Sequence, residues 1–294
     1  MPVNIISKNL FALRFSTTAL IFLLTILSCT KDETQTQQLP PGRTYLTKIY
    51  QIDSTASGKD TLMESLTYDN MKRVVIVADS IVTGGVSSFF AKEIFYYLGS
   101  DTLPYKSSLD VIDGTFIDSI NRFFLYDNQG RKIIDSIISK TINPTVTNRK
   151  RINTYHYVGN RIFGSTTSTN LDNPAQVSTQ NDTATLDAAG NVLETIENAF
   201  QRTIYTNTYD NYPTPFSKTN ILASRDVFIR TWTDYWLVSP NNQVYNKIET
   251  VGSTPYEAWL NYQYNSEGYP TRSVRTESTR PDRKMILEFE YSPL

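Results

Sequence analysis

The stretch FFLYDNQGRKIIDSI, residues 123–137, holds two apolar runs around a polar turn, and it decides how the rest of the chain is read. Phe, Leu, Tyr and Ile suit a pleated surface, whereas Asp127, Asn128 and Gly130 supply the self-bonding side chains and the left-handed backbone that close a hairpin. The same grammar recurs in SLTYDNMKRVVIVADSI (65–81), TATLDAAGNVLETI (183–196) and NYQYNSEGYPTRSV (261–274). The chain is therefore built from repeated hairpins.

The repeat is paced by one residue, the aromatic or apolar side chain that ends the first strand of each unit. Tyr68, Tyr97 and Tyr126 stand 29 residues apart, followed by Tyr157, Leu186, Tyr209, Trp236, Tyr264 and Tyr291 at intervals of 23 to 31. Turn residues follow most of these marks, and Gly130, Gly190 and Gly268 fall four positions after theirs, where a positive φ closes a short hairpin loop. A unit of this length holds two strands of about nine residues, each about 30 Å long. Helical periodicity is nearly absent, and SFFAKEIFYYL (88–98) alternates as a strand. Without long crossovers, consecutive strands must be antiparallel neighbours. The fold expected is all-β, an antiparallel meander of about 16 strands in a strongly curved or rolled sheet. Runs such as RVVIVA and KIIDSII, apolar on both faces, call for a sheet rolled around its own core.

The first residues carry an address rather than a fold. Lys8 and Arg14 precede the apolar run Ala19–Leu27, which falls short of the about 20 residues a bilayer requires and matches a secretory signal. Ser28 and Cys29, the single cysteine, follow directly and resemble a bacterial lipobox, which implies that Cys29 becomes the lipidated N-terminus. Behind it TKDETQTQQLPPG is too polar to bury a core and reads as a tether. Its acidic pair, Asp32 and Glu33, resembles the signal that exports Bacteroidota lipoproteins to the outer face of the outer membrane. The organisation expected is a signal peptide over 1–28, a lipidated cysteine and tether over 29–44, and a single repetitive β-sheet domain over 45–294. Removal of 1–28 leaves 26 basic against 29 acidic residues, a balance that draws in neither nucleic acid nor anionic lipid. Its membrane partner is reached through the lipid, and stability must come from a packed core, since no disulfide is possible.

The YDNQGR and YNSEGYP turns, the YDNYPTPF segment and the closing LEFEY resemble a family of Bacteroidota lipoproteins of unassigned function whose domain is described as porin-like or as a rolled β-sheet. They are remotely similar to the tyrosine-aspartate repeats of Rhs shells. The resemblance spans roughly 45–294 and implies a fold, not a chemistry.

Chemistry has few places to reside. His156 is the only histidine and sits in a strand pattern, so a histidine-rich metal site is excluded, and Cys29 is spent on lipid. No G-x-S-x-G elbow accompanies it, and SGKDT (57–61) lacks the first glycine and the helix of a phosphate loop. Glu288 and Glu290 share one strand face, a pair that a carboxylate-based glycan-processing enzyme requires but that any half-exposed strand produces. In FIRTWTDYWLV (228–238), alternation puts Arg230, Trp232, Asp234 and Trp236 on one side, a set suited to stacking and bonding a sugar. Tyr256 and Trp259 add aromatic area close by in sequence. The expectation is a non-enzymatic, lipid-anchored cell-surface module, without cofactor or metal, that binds a glycan or a protein. A glycan-processing enzyme and a periplasmic structural subunit of an outer-membrane assembly are the alternatives.

Overall fold

A computed structural model describes residues 44–53, 61–83, 86–113, 116–143, 145–199, 201–225 and 239–294. The strands are β1 (Thr44–Asp53), β2 (Thr61–Tyr68), β3 (Val74–Thr83), β4 (Val86–Tyr96), β5 (Lys106–Asp113), β6 (Phe116–Tyr126), β7 (Lys132–Asn143) and β8 (Thr145–Val158). They continue as β9 (Arg161–Asn170), β10 (Val177–Leu186), β11 (Val192–Asn198), β12 (Arg202–Pro213), β13 (Asn241–Thr250), β14 (Tyr256–Tyr264), β15 (Pro270–Glu277) and β16 (Arg280–Pro293). Each pairs antiparallel with its sequence neighbours, and β1 pairs with β16, so the 16-stranded meander closes into a barrel. Rolling goes to full closure, which leaves no unpaired edge. Among the described residues the one helical piece is a single 3-10 turn, Leu222–Ser224.

The quoted turn and its echoes share one construction. Asp127 Oδ1 accepts the backbone N–H groups of Gln129 and Arg131 at 2.9 Å, and Gly130 adopts φ 73°. Asp69, Asp187 and Asn265 each accept from the residues two and four positions on in the same way. Gly190 and Gly268 take the same left-handed slot, and in the first turn Lys72 occupies it at φ 64°. Register shifts accompany these turns at Tyr68, Tyr126, Leu186 and Tyr264, so each turn is coupled to a bulge that re-aims the pacing residue.

The pacing tyrosines make one common bond. The hydroxyls of Tyr68, Tyr97, Tyr126, Tyr157, Tyr209, Tyr262 and Tyr291 donate to the carbonyls of Leu46, Val74, Pro104, Lys132, Val192, Gln243 and Pro270 at 2.5–3.1 Å. Each bond joins an even-numbered strand, at or near its end, to the opening of the odd-numbered strand before it, at the barrel end that holds the Asx turns; Tyr209 does so from within β12. In β10 the slot belongs to Leu186, and the tie is made instead by its backbone N–H donating to Asn160 O at 2.8 Å. Arg73 and Arg131 stack over the rings of Tyr97 and Tyr157 with centroid distances of 4.5 Å, linking one unit to the next. Tyr264 departs from the pattern: its hydroxyl bonds Asp210, and Tyr262 makes the strand tie.

A barrel of 16 strands is too wide for wall side chains alone to fill. Here β12 runs on through DNYP to Pro213 rather than turning at Tyr209, and a long connection returns the chain to β13 at Asn241. Thr214 N–H donates to Pro240 O at 3.0 Å and closes its neck. Phe216 and Ile221 then plunge into a core formed by Leu46, Ile49, Leu66, Val74, Val77, Phe95, Leu287 and Phe289. Lys218 donates to Thr44 O, Asn220 accepts from Val74 N–H, and Lys132 Nζ donates to the carbonyls of Ser224 and Arg225 at 2.9 and 2.8 Å. The segment thus crosses from β12 to β7 inside the turn end. A second cluster, with Tyr155, Ile162, Val192, Tyr205, Ile248 and Tyr256, fills the opposite wall.

Two outcomes test the tyrosine ties. Tyr126→Phe should lower the unfolding free energy by about 1 kcal/mol, read as a shifted urea midpoint at unchanged slope, while Tyr105→Phe, exposed by 39%, should leave the midpoint unmoved. Burial raises the hydroxyl pKa of Tyr68, Tyr97, Tyr126, Tyr209, Tyr262 and Tyr291 above the ordinary 10.0. A raised folded value favours the protonated state, so this stability is fully present below pH 10 and is lost as pH rises beyond it. Absorbance at 295 nm should show the exposed tyrosines ionising first and the rest together with loss of β-sheet ellipticity; independent, non-cooperative ionisation of all of them contradicts the ties.

Candidate ligand-binding site

The end opposite the turns is built differently. Its hairpins are short, and the inward side chains of β6 to β10 change from apolar to polar as they approach it. Cross-strand register places Arg122 beside Ile137, Ile137 beside Arg151, Arg151 beside Ser168, and Ser168 beside Ser178. They surround a cavity of about 670 Å³ together with Leu109, Asp118, Ile120, Ser139, Thr141, Arg149, Asn153 and Thr166. A smaller hollow of about 230 Å³ continues it past Thr166, Ser168 and Ser178 toward Gln180 and Asn198. A volume near 700 Å³ lies within the roughly 300–1,000 Å³ of small-molecule sites.

The cavity floor is an ion cluster. Asp135 is fully buried on β7, with Arg122 Nη2 at 2.5 Å and Lys132 Nζ at 3.5 Å. Burial works to raise its pKa, but the positive charges of Arg122, Lys132 and Arg151 outweigh it, and the carboxyl is held below the ordinary 3.8. Lys132 also reaches the carbonyls of Ser224 and Arg225, while Arg225 reaches Glu93 at 3.6 Å. The same charges therefore seat the crossing segment and floor the cavity.

The walls above the floor are rich in donors. Asp118 accepts from Thr141 Oγ1 at 2.8 Å. Asn153, 3% exposed, accepts from Thr166 Oγ1 at 2.9 Å through Oδ1, and its Nδ2 has no partner among the described residues. The Nε of Arg151 is buried and likewise unpartnered. A second cavity at this end, about 490 Å³, is lined by Gln51, Tyr256, Arg275, Glu277, Arg280 and Arg283. Its central cation is consumed internally: Arg275 Nη2 donates to Tyr256 Oη at 2.6 Å and Nε approaches Glu277 at 3.3 Å. Burial lifts the Tyr256 hydroxyl to about 12, with Arg275 pulling it down.

The residues singled out in the sequence fare unequally. Arg230, Trp232, Asp234 and Trp236 lie outside the described residues, as does Cys29. Tyr256 and Trp259 are split by strand alternation, Tyr256 buried inside and Trp259 40% exposed outside. His156 stands exposed on the outer face of β8. Glu288 and Glu290 face outward, each with a cation, Arg272 at 3.7 Å and Lys48 at 3.7 Å, and so they form a solvated face rather than a facing acid pair. The inward set on β8, Arg149, Arg151 and Asn153, escaped notice, although the alternation of RKRIN supplies its signal: every second residue of a strand shares a face.

The outer wall matters for what this barrel is. The exposed side chains of Lys48, Glu249, Glu288 and Glu290 occupy it on β1, β13 and β16, whereas β6 to β9 place Phe123, Leu125, Ile138, Val146 and Phe163 there among Lys140, Lys150 and His156. A wall immersed in lipid presents an apolar band about 25 Å tall, and here charged and apolar side chains share the wall.

No protein-family model matches this sequence, and no curated protein matches it. Among solved structures, the chain is similar to a porin-like protein from Bacteroides vulgatus ATCC 8482, with a TM-score of 0.53 and 14% identity over 86% of this chain and 100% of that one. A porin-like protein from Bacteroides uniformis ATCC 8492 follows at a TM-score of 0.46 and 10% identity, over 84% and 98%. At such identity the likeness to the first is one of fold, a porin-like β architecture.

The floor makes a direct prediction. Asp135→Asn strands the buried Lys132 and the partly buried Arg122 and should cost about 3–5 kcal/mol, measured by denaturant unfolding at pH 7. Since the carboxyl pKa is depressed, the stabilisation from Asp135 is present above the ordinary 3.8 and lost as pH falls below it, so wild type and variant should converge in acid. A penalty that persists undiminished at pH 2 rules out the ion cluster as its source.

Proposed function

We propose that the protein is a lipid-anchored envelope module that binds a ligand in the open end of its barrel and catalyses no reaction. In this reading Cys29 carries the lipid, residues 29–44 form the tether, and the domain belongs with the Bacteroidota lipoproteins that its Tyr-Asp turns resemble. The source of the porin-like structure, a Bacteroides species, supports that placement, and the barrel architecture supports residence at the outer membrane. The charged outer wall favours a barrel held beside the membrane by its anchor over one immersed in it.

The observation that carries the reading is the asymmetry of the interior. One end is packed by Phe216, Ile221 and the ring of tyrosines, and the other holds a polar cavity of about 670 Å³. The tether joins at Thr44, where β1 starts at the packed end, so the cavity lies at the far end of the strands. Such a placement presents the cavity to the surroundings, on the cell exterior in our reading, and suits a glycan taken up in an extended hydrophilic mouth. The outward, ion-paired Glu288 and Glu290 count against the glycan-processing alternative.

Cys29→Ser tests the anchor. In a host that processes lipoproteins, the variant should lose incorporated fatty acid and move from the membrane to the soluble fraction, while the wild type on intact cells is shaved by added protease. Membrane retention of the variant without acyl label contradicts the anchor, and resistance of the wild type to shaving contradicts its outward display.

A further inference from the structure

We infer that the cavity at the open end selects an anionic, hydroxyl-rich ligand, an acidic saccharide whose carboxylate or sulfate is held by Arg149, Arg151 and Asn153. This rests on the reading of that cavity as the ligand site. Arg149 and Arg151 alternate with Lys150 on β8 and so share its inward face. Neither guanidinium has an ion-pair partner among the described salt bridges, whereas Arg122 and Lys132 are matched to Asp135. Arg151 leaves a buried Nε–H unbonded, and Asn153, 97% buried, leaves Nδ2 unbonded one alternation deeper. Buried donors without partners are costly, and in native structures they commonly mark a missing acceptor. Beside two guanidiniums with no ion-pair partner within 4 Å among the described residues, the acceptor that fits these donors is a negative one, and the arginine fork is suited to carboxylate or sulfate geometry.

The remaining wall names the rest of the ligand. Ser139, Thr166, Ser168 and Ser178 line the cavity with hydroxyls that can donate and accept in turn, and no aromatic ring faces it among the lining residues. A flat apolar ligand finds nothing to stack on, whereas the hydroxyls of a sugar find a partner at each step. The adjoining hollow, reached past the same serines, extends that surface for further rings. The second cavity differs in that Arg275 already has an ion-pair partner, Glu277 at 3.3 Å, and donates from Nη2 to Tyr256.

The test uses the full chain in detergent, titrated by calorimetry with trigalacturonate, a sulfated galactose trisaccharide and neutral galactotriose. At least one acidic trisaccharide should bind tenfold or more tighter than the neutral one, with affinity falling as salt rises. Arg149→Gln, at an exposed position that leaves folding intact, and Arg151→Gln should each weaken acidic binding at least about tenfold without changing neutral binding, and Arg151→Lys should recover part of the loss. If Arg151→Gln fails to fold, Arg149→Gln and Asn153→Asp, which adds a repelling carboxylate, carry the comparison. Equal binding of neutral and acidic sugars, abolished by a cavity-filling Ser168→Trp, overturns the anion selectivity while the ligand site stands. Binding that survives Ser168→Trp, or no binding of any of the three, overturns both.

Discussion

The bond on which this barrel depends is the one from a tyrosine hydroxyl to the carbonyl at the start of the strand beside it. Backbone ladders hold any two strands together, but they do not say where a strand must end. At Tyr68 and Tyr126 a bulge beside the Asx turn accompanies this bond, and Tyr97, Tyr157, Tyr209, Tyr262 and Tyr291 make the same bond to a carbonyl around the wall. A slip of one residue in any hairpin would turn the ring to the other face and forfeit the bond, so register is set once per unit. Each bond contributes only about 0.5–1.5 kcal/mol, yet a ring of them biases every strand pair toward the same end point.

Closure creates a second constraint, the width of the tube. Sixteen strands enclose more space than the wall side chains occupy, and empty apolar volume is destabilising. The connection between β12 and β13 answers this at the turn end by sending Phe216 and Ile221 into the core. Its backbone cannot join a ladder there, so its carbonyls need other donors, and Lys132 supplies two bonds to Ser224 and Arg225. Lys132 is in turn acceptable in the interior because Asp135 balances it. Packing the segment and charging the floor are one solution.

How much of this could be read from the chain is instructive by residue. Strand number, antiparallel order and the positive-φ glycines followed from turn chemistry that acts over five residues, and the structure places Gly130, Gly190 and Gly268 in that conformation. Closure was not legible, because pairing of β1 with β16 joins Thr44 to Pro293 and leaves no local mark. The pacing of tyrosines was visible without its cause, since the accepting carbonyls lie 17 to 25 positions earlier. In YDNYPTPF, Asp210 makes the same Asx contact, to Tyr212 N–H, but Asn242 and Tyr264 bond its carboxylate, and the strand continues to Pro213. Of the cavity, only the alternation in RKRIN was available, and its meaning required knowing which face was inside.

The interior of the barrel is thus divided by chemistry into two lengths, and the division follows from solvation. At the turn end the tyrosine hydroxyls and the carbonyls of Ser224 and Arg225 are bonded within the protein, beside Phe216 and Ile221. Toward the open end the wall retains charge in excess of its partners, with Arg149 and Arg151 left over after Asp135 has matched Arg122 and Lys132. Arg151 also adds to the positive charge that holds Asp135 ionised, whereas Arg149 stands nearer the mouth. Unmatched donors on a rigid wall are what binding requires, because their geometry is set before the ligand arrives and little ordering remains to be done when it does.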